Sequence, residues 1–304
     1  MDPLAHTLAG TVIARNHPSK AGAVIWACVL GSLIPDIDII LTLFGRDFYI
    51  TEHRGFTHSL LGLIPMSLLA AWISAFLARA RKEKVPFRLL WMMALLGVAS
   101  HILLDWCTSW GTMILWPDRE RFALDHLFIV DPWYWGLLSV PLLASLFYRE
   151  KRVVIFRVGL IAALAYHGLA AFNHHRALVL GQKDGPQALA FPQPLSPFRW
   201  SAYNRKDGLL HNAWIDFLKS SEPLVWKIWP VLMTPEVQAV MDSDPGKQYL
   251  WFCREPLWEQ ERQKDGSVIL TFYDMRFQNY LMREKIARGF GARFLVKDGK
   301  VSKL

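Results

Sequence analysis

The chain has 304 residues, enough for two domains, and 53% of them are hydrophobic. Its net charge of +8 comes without a basic stripe interleaved with aromatics, which argues against nucleic acid as a partner. Three scattered cysteines exclude a disulfide framework. Nearly all the long apolar runs fall in residues 1–172, whereas residues 173–304 carry the charges and turns of an ordinary globular domain. The expected fold is therefore mainly α: a polytopic helical membrane domain of about six segments over 1–172, then a small extramembrane α+β domain over 173–304.

The opening MDPLAHTLAG has no basic n-region and no small-residue cleavage site, so no removable signal peptide is expected. A first helical segment spans residues 3–14, and His6 shares a helix face with Asp2, four residues earlier. A second spans 21–35 and runs into LIPDIDII. Two apart on an α-helix, Asp36 and Asp38 would point in nearly opposite directions. In an extended or turn segment after Pro35, both can reach one site. Two close carboxylates repel unless a cation neutralises them. Next comes HRGFTHS, where the helix is expected to start at Phe56 or Thr57. That leaves His53 and Arg54 on the preceding loop, with Gly55 permitting the sharp turn. Arg54 suits bidentate phosphate binding or anchoring at the lipid interface.

The third segment covers 56–78 and the fourth 89–106. In the fourth, His101 and Asp105 are four apart and project from one helix face, where they can offer a nitrogen and an oxygen to one metal or simply hydrogen-bond. Cys107, two residues on, is a minor candidate. Asp125 and His126 precede the fifth segment, 127–148, and Asp131 lies within it before Pro132. Asp131 reads as a ligand, a carboxylate orienting a histidine, or a helix cap. The sixth segment spans 153–172. It contains His167, which has no carboxylate nearby in sequence and is not a candidate.

Orientation follows from Lys and Arg alone. Arg79, Arg81, Lys82, Lys84 and Arg88 follow the third segment, Arg149, Lys151, Arg152 and Arg157 flank the start of the sixth, and Arg15 and Lys20 join the first two. The positive-inside rule puts these loops in the cytoplasm and both termini outside. His6, Asp36, Asp38, His53, His58, His101, Asp105 and Asp131 then gather at the outer face. Ionisable groups at membrane depth pair, line a cavity or bind metal, and His with Asp is the ligand set of a hydrolytic metal centre. Serine-nucleophile, NTPase, dinucleotide and zincin motifs are absent.

MDPLAHTLAG, SLIPDIDII, EHRGFTHSLLG, ASHILLDWCTSWGTMILWP and FIVDPWYW resemble, in that order across about residues 1–135, the membrane-bound predicted metal-dependent hydrolases, the YdjM-like family. The resemblance implies an integral membrane protein with His6, Asp36, Asp38, His53, His58, His101 and Asp105 as divalent-metal ligands. The HxxxD pair in a His-rich helical setting is also similar to zinc-dependent phospholipase C.

The expected function is a metal-dependent hydrolase of the bacterial inner membrane, its site and C-terminal domain on the periplasmic side. Such an enzyme would use one or two ions of zinc or manganese on a phosphoester of a lipid or lipid-linked substrate, with Arg54 on the phosphate and Asp38 or Asp131 as general base. An ion transporter and a metal-stabilised scaffold are the rivals. In the tail, YLWFCREPLWEQE and SVILTFYDMRF read as strands joined through Lys264-Asp265-Gly266, a second turn at 298–299 joins ARFLVK to KVSKL, and FPQPLSPFRW reads as extended. The domain is expected to act as a lid or substrate selector, with a plain stabilising domain as the alternative.

Overall fold

In a computed structural model, which describes residues 1–19, 21–219, 224–279 and 290–304, the sequence opens with a capped helix. Asp2 Oδ1 accepts from the Leu4 and Ala5 amides at 3.0 and 3.2 Å, and Pro3 fills the first helical position of α1 (Pro3–Arg15). Lys20, on which part of the orientation argument rests, lies outside the described residues. Helix α2 (Gly22–Gly31) has its first amides held by Glu83, from Gly22 at 3.1 Å and Ala23 at 2.8 Å. The chain then bends by 43° into a 3₁₀ segment, Ile34–Phe44, with Pro35 near its start. Helix α3 (Arg46–Glu52) follows.

A 3₁₀ turn over Phe56–His58 precedes α4 (Leu60–Ala80), which Ser59 caps through the Gly62 amide. The helix thus begins later than Phe56 or Thr57, because the serine hydroxyl competes for the first free amides. Helix α5 (Phe87–Trp106), an irregular stretch, α6 (Pro132–Phe147) and α7 (Arg152–Gln182) complete the helical part.

Small residues set the packing, as expected where lipid supplies no hydrophobic drive between helices. Ala23, Val24 and Ala27 of α2 pack with Ala70 and Ala71 of α4 and with Met93 and Ala94 of α5. A Cβ on Gly31 would run into the Ala94 carbonyl, and one on Gly97 into the Cys28 carbonyl, so the α2 and α5 backbones touch. A second cluster joins Ala5, Ala9 and Val12 of α1 to Leu138 of α6 and Ala163 of α7. Large apolar side chains point outward, among them Trp72, Phe76, Leu146, Phe147 and Ile161. That much exposed apolar surface fits lipid rather than water.

Among the described residues, three helical stretches are long and apolar enough to cross a membrane: Leu60–Ala80, Phe87–Trp106 and Arg149–Gln182. The bent pair of α2 and the 3₁₀ segment makes a fourth if it counts as one span. With 13 and 16 residues, α1 and α6 fall short of the ~20 a straight span requires. The six expected segments are all helical, but among the described residues only three or four of them qualify as spans, the shorter helices packing among them.

The chain divides into two compact units, Met1–Asn173 with Pro194–Pro197, and His174–Gln193 with Phe198–Leu304. The second is built on two four-stranded sheets. One orders β1 (Leu189–Gln193), β2 (Ser196–Lys206), β3 (Leu209–Asp216) and β4 (Trp226–Pro230), and the other β5 (Pro256–Arg262), β6 (Val268–Asp274), β7 (Ala292–Lys297) and β8 (Lys300–Lys303). Helices α8 (Pro235–Asp242) and α9 (Asp244–Phe252) lie between them in sequence. Leu210, Val237, Leu257, Phe272 and Phe294 share one core.

The two Asp-Gly turns form as expected: Gly266 lies between β5 and β6, and Asp298 and Gly299, with φ of 49° and 74°, join β7 to β8. The strand expected to begin at YLWFC does not. Ser243 caps α9 through the Gly246 amide, Pro245 sits in its first turn, and that start signal outweighs the strand-like alternation.

Candidate metal centre

Four donors meet between the 3₁₀ segment, the turn before α4 and the last turns of α5. His58 Nε2 lies 3.0 Å from His101 Nε2, 3.2 Å from Asp105 Oδ2 and 3.5 Å from Asp36 Oδ1. His101 Nε2 lies 3.4 Å from Asp105 Oδ2 and 3.6 Å from Asp36 Oδ1. His58, His101 and Asp105 are fully buried, while the Asp36 side chain is 30% exposed and marks the open edge.

Local winding explains how Asp36 arrives. At three residues per turn, positions two apart diverge by about 120°, against about 160° on an α-helix. Asp36 and Asp38 therefore both reach His58, on opposite nitrogens of its ring, while Asp36 also faces His101 and Asp38 faces His53.

The hydrogen bonds fix the tautomers. His101 Nδ1 is 2.8 Å from the Ser32 carbonyl, which only accepts, so Nδ1 carries the proton and Nε2 a lone pair. Thr57 Oγ1 donates to Asp38 Oδ2 at 3.1 Å and thus accepts from His58 Nδ1 at 2.9 Å, which also leaves His58 Nε2 bare. With both rings in the neutral form, two imidazole nitrogens and two carboxylate oxygens converge with no proton among them. Asp105 Oδ2 has no hydrogen bond among the described residues although it is fully buried. Acceptors crowded together in this way repel unless a cation sits between them, so the residues fit a divalent ion.

A further ring of side chains holds these donors. Asp38 accepts from His53 Nδ1 at 2.9 Å and from the Arg54 amide at 3.0 Å. Its Oδ2 also lies 3.4 Å from His58 Nδ1. His53 stacks on Tyr49, with ring centroids 4.5 Å apart. Burial pushes His53 below the ordinary imidazole range, with Asp38 pulling the other way. Arg54 Nη2 is 3.0 Å from Asp105 Oδ1, and its Nη1 donates to Thr108 Oγ1 at 2.9 Å. Burial lowers the Arg54 guanidinium to about 10, so it stays charged at neutral pH. The left-handed backbone here belongs to Arg54 itself, at φ 60°, and not to Gly55, whose φ is −89°. His6 Nε2 lies 3.2 Å from Asp105 Oδ1, its ring stacks on His101 at 3.8 Å, and the Met1 amino group also contacts Asp105 Oδ1.

A profile of the YdjM inner membrane protein family matches residues 1–177. The chain belongs to that family. Among its relatives are the inner membrane protein YdjM of Escherichia coli, 37% identical over 41% of this chain and 68% of its own length, and the Escherichia coli inner membrane protein YbcI, 32% identical over 38% and 68%. The Bacillus subtilis protein YfhP is 28% identical over 48% of this chain, and the match spans about half, 49%, of YfhP. No solved structure matches. Family membership and the apolar helices together make the chain a bacterial inner membrane protein.

Among the residues singled out in the sequence, Asp36, His58, His101 and Asp105 converge. Asp38, His53, Arg54 and His6 surround them. Asp131 stands elsewhere: it caps α6, accepting from the Trp133 and Tyr134 amides at 3.0 and 3.1 Å and from Tyr166 Oη at 2.6 Å. Sequence reasoning missed a second grouping, Cys107, His126 and His167. The available signal was His167 itself, an ionisable side chain in the middle of an apolar helix.

Proposed function

We propose that the chain is a membrane metal-dependent hydrolase acting on a phosphoester of a lipid or another amphiphilic molecule. What supports its metal dependence is the meeting of two bare Nε2 atoms and two carboxylate oxygens with no shared proton. Asp36, His58, His101 and Asp105 would hold the ion, zinc or manganese, which when bound acts as a Lewis acid and lowers the pKa of a bound water. Asp36, at the exposed edge, stands where water and substrate approach. Asp38 holds His53 and orients His58 through its Nδ1 side, a carboxylate–histidine arrangement that fixes the ring and raises its basicity. Arg54 uses both Nη atoms on Asp105 and Thr108, so its part is to position the Asp105 carboxylate.

Orientation supports a periplasmic site. The basic loop 81–86 joins the end of α4 to the start of α5, whereas the donor group sits at the opposite ends of those helices. The positive-inside rule puts the loop in the cytoplasm and the donor group outside. A site at the ends of spanning helices lies at headgroup depth, where an amphiphile presents its polar group.

The test is metal content of the detergent-purified chain, wild type beside His101→Ala and Asp36→Ala, followed by turnover of phosphomonoesters and phosphodiesters. One equivalent of metal should be lost in both variants, and hydrolysis should fall by about 100-fold or more. Folded, chelator-free protein with no metal would sink the reading. Metal that depends on these residues but supports no hydrolysis would favour ion transport, read as flux in vesicles.

A further inference from the structure

We infer that Cys107, His126 and His167 form a second metal site, for an ion of the zinc class, which ties the end of α5 to the loop after it and to α7. Its donors are distinct from those of the Asp36–Asp105 group, and the inference goes beyond the proposed hydrolysis. One donor atom from each of the three residues lies within 4.8 Å of the other two. His126 Nε2 and His167 Nδ1 are 3.1 Å apart. Tetrahedral zinc with ~2.1 Å bonds to nitrogen places two such atoms ~3.4 Å apart, so a small shift seats an ion.

The backbone delivers these side chains by a specific route. Cys107 follows the last residue of α5, and its amide donates to the Leu103 carbonyl at 3.1 Å. The Cys107 carbonyl accepts from the His126 and Leu127 amides at 3.1 and 3.0 Å, which pins the returning loop against the helix end. Asp125, at φ 55°, makes the turn that aims His126 inward. His167 comes from α7, with the Tyr134 ring edge-on against it at 5.4 Å. Cys107 and His126 are buried and His167 is half-buried, and Cys107 shares an apolar cluster with Leu127, Leu138 and Ala163.

Donor chemistry selects the ion. One thiolate with two imidazoles suits zinc, whereas magnesium, calcium and manganese prefer carboxylates and carbonyls. On binding, the Cys107 thiol gives one proton to solvent and both imidazoles use lone pairs, leaving a fourth position open. The competing account is a His126–His167 hydrogen bond beside an inert thiol. It explains two of the three groups and leaves Cys107 only as a packing residue of the surrounding apolar cluster. Because Cys107 is two residues past Asp105, an ion here would steady the helix end that presents His101 and Asp105.

Cobalt(II) loading of the full-length, chelator-stripped protein in detergent decides the matter. A sulfur-to-cobalt charge-transfer band in the near ultraviolet is expected in the wild type, in His101→Ala and in Cys28→Ala. In Cys107→Ser the band should vanish, with one fewer equivalent of zinc by mass spectrometry. Cobalt bound to wild type without that band overturns the inference, and so does a band that survives in Cys107→Ser. The wild-type spectrum alone suffices if a variant fails to fold. Failure of the hydrolase site would leave the thiolate band in place, whereas failure of this one would leave metal bound without it.

Discussion

The two units bury charge in opposite ways. In the C-terminal unit, buried Arg276 Nη2 meets Asp274 Oδ2 at 2.6 Å and the Phe252 carbonyl at 2.6 Å, and Arg205 Nη2 meets Glu255 Oε1 at 2.6 Å. Donors there face acceptors, and the ion pairs are complete within the chain. The membrane unit also pairs Arg54 with Asp105 Oδ1, but beside that pair His58, His101, Asp36 and the other Asp105 oxygen bring acceptors face to face. Burial of charge is thus common to both units. What marks a site is burial that leaves lone pairs pointing at one another, since that arrangement is costly until something positive arrives.

The largest effect that tests this contrast lies in the C-terminal unit. Arg276→Met should cost about 3–5 kcal/mol, because it strands the Asp274 carboxylate, and should leave metal content unchanged. Chemical denaturation read alongside metal analysis checks both halves. If metal were lost with the ion pair, the two units would not be functionally separable. Asp38→Asn should do the reverse, changing stability little while weakening metal affinity by about 10–100-fold, measured by competition with a chromophoric chelator. Unaltered affinity would reduce Asp38 to a local turn former.

The smallest effect is pH dependence at His53. Burial depresses its folded-state pKa below the reference 6.5, so the unfolded chain takes up its proton first as pH falls. Its contribution is complete above pH 6.5 and is lost as pH falls from there through the folded value. Thermal melts of chelator-treated protein should show a decline below pH 6.5 that is shallower in His53→Gln. Equal slopes would mean that His53 does not titrate differently in the two states.

Much of the candidate site was legible. The four-residue spacing of His101 and Asp105 places both on one face of α5 whatever surrounds that helix, and Lys and Arg in the loops put His and Asp at the opposite helix ends. Division of labour among the candidates was not legible. Seven residues share ligand chemistry, and only the hydrogen bonds of Asp38 to His53, Arg54 and Thr57 distinguish its surroundings from those of the four converging donors. Asp131 reads equally as ligand or cap until the Trp133 and Tyr134 amides are seen to claim it. In the tail, the Asp-Gly turns were readable because positive φ demands those residue types, whereas YLWFC alternates like a strand and is overruled by the Ser243 cap just before it.

By itself, then, the sequence determined the membrane character of residues 1–172, the Asp-Gly hairpins and the shared helix face of His101 and Asp105, because hydropathy, turn chemistry and helical spacing are local properties. Tertiary structure alone decided which donors meet, that α1 and α6 are too short to count as full spans, and that Cys107, His126 and His167 come together from a helix end, a loop and a distant helix. Those outcomes depend on 3₁₀ winding, on the contact of the α2 and α5 backbones at Gly31 and Gly97, and on a loop pinned by the Cys107 carbonyl. None of these distances is encoded in residue spacing along the chain.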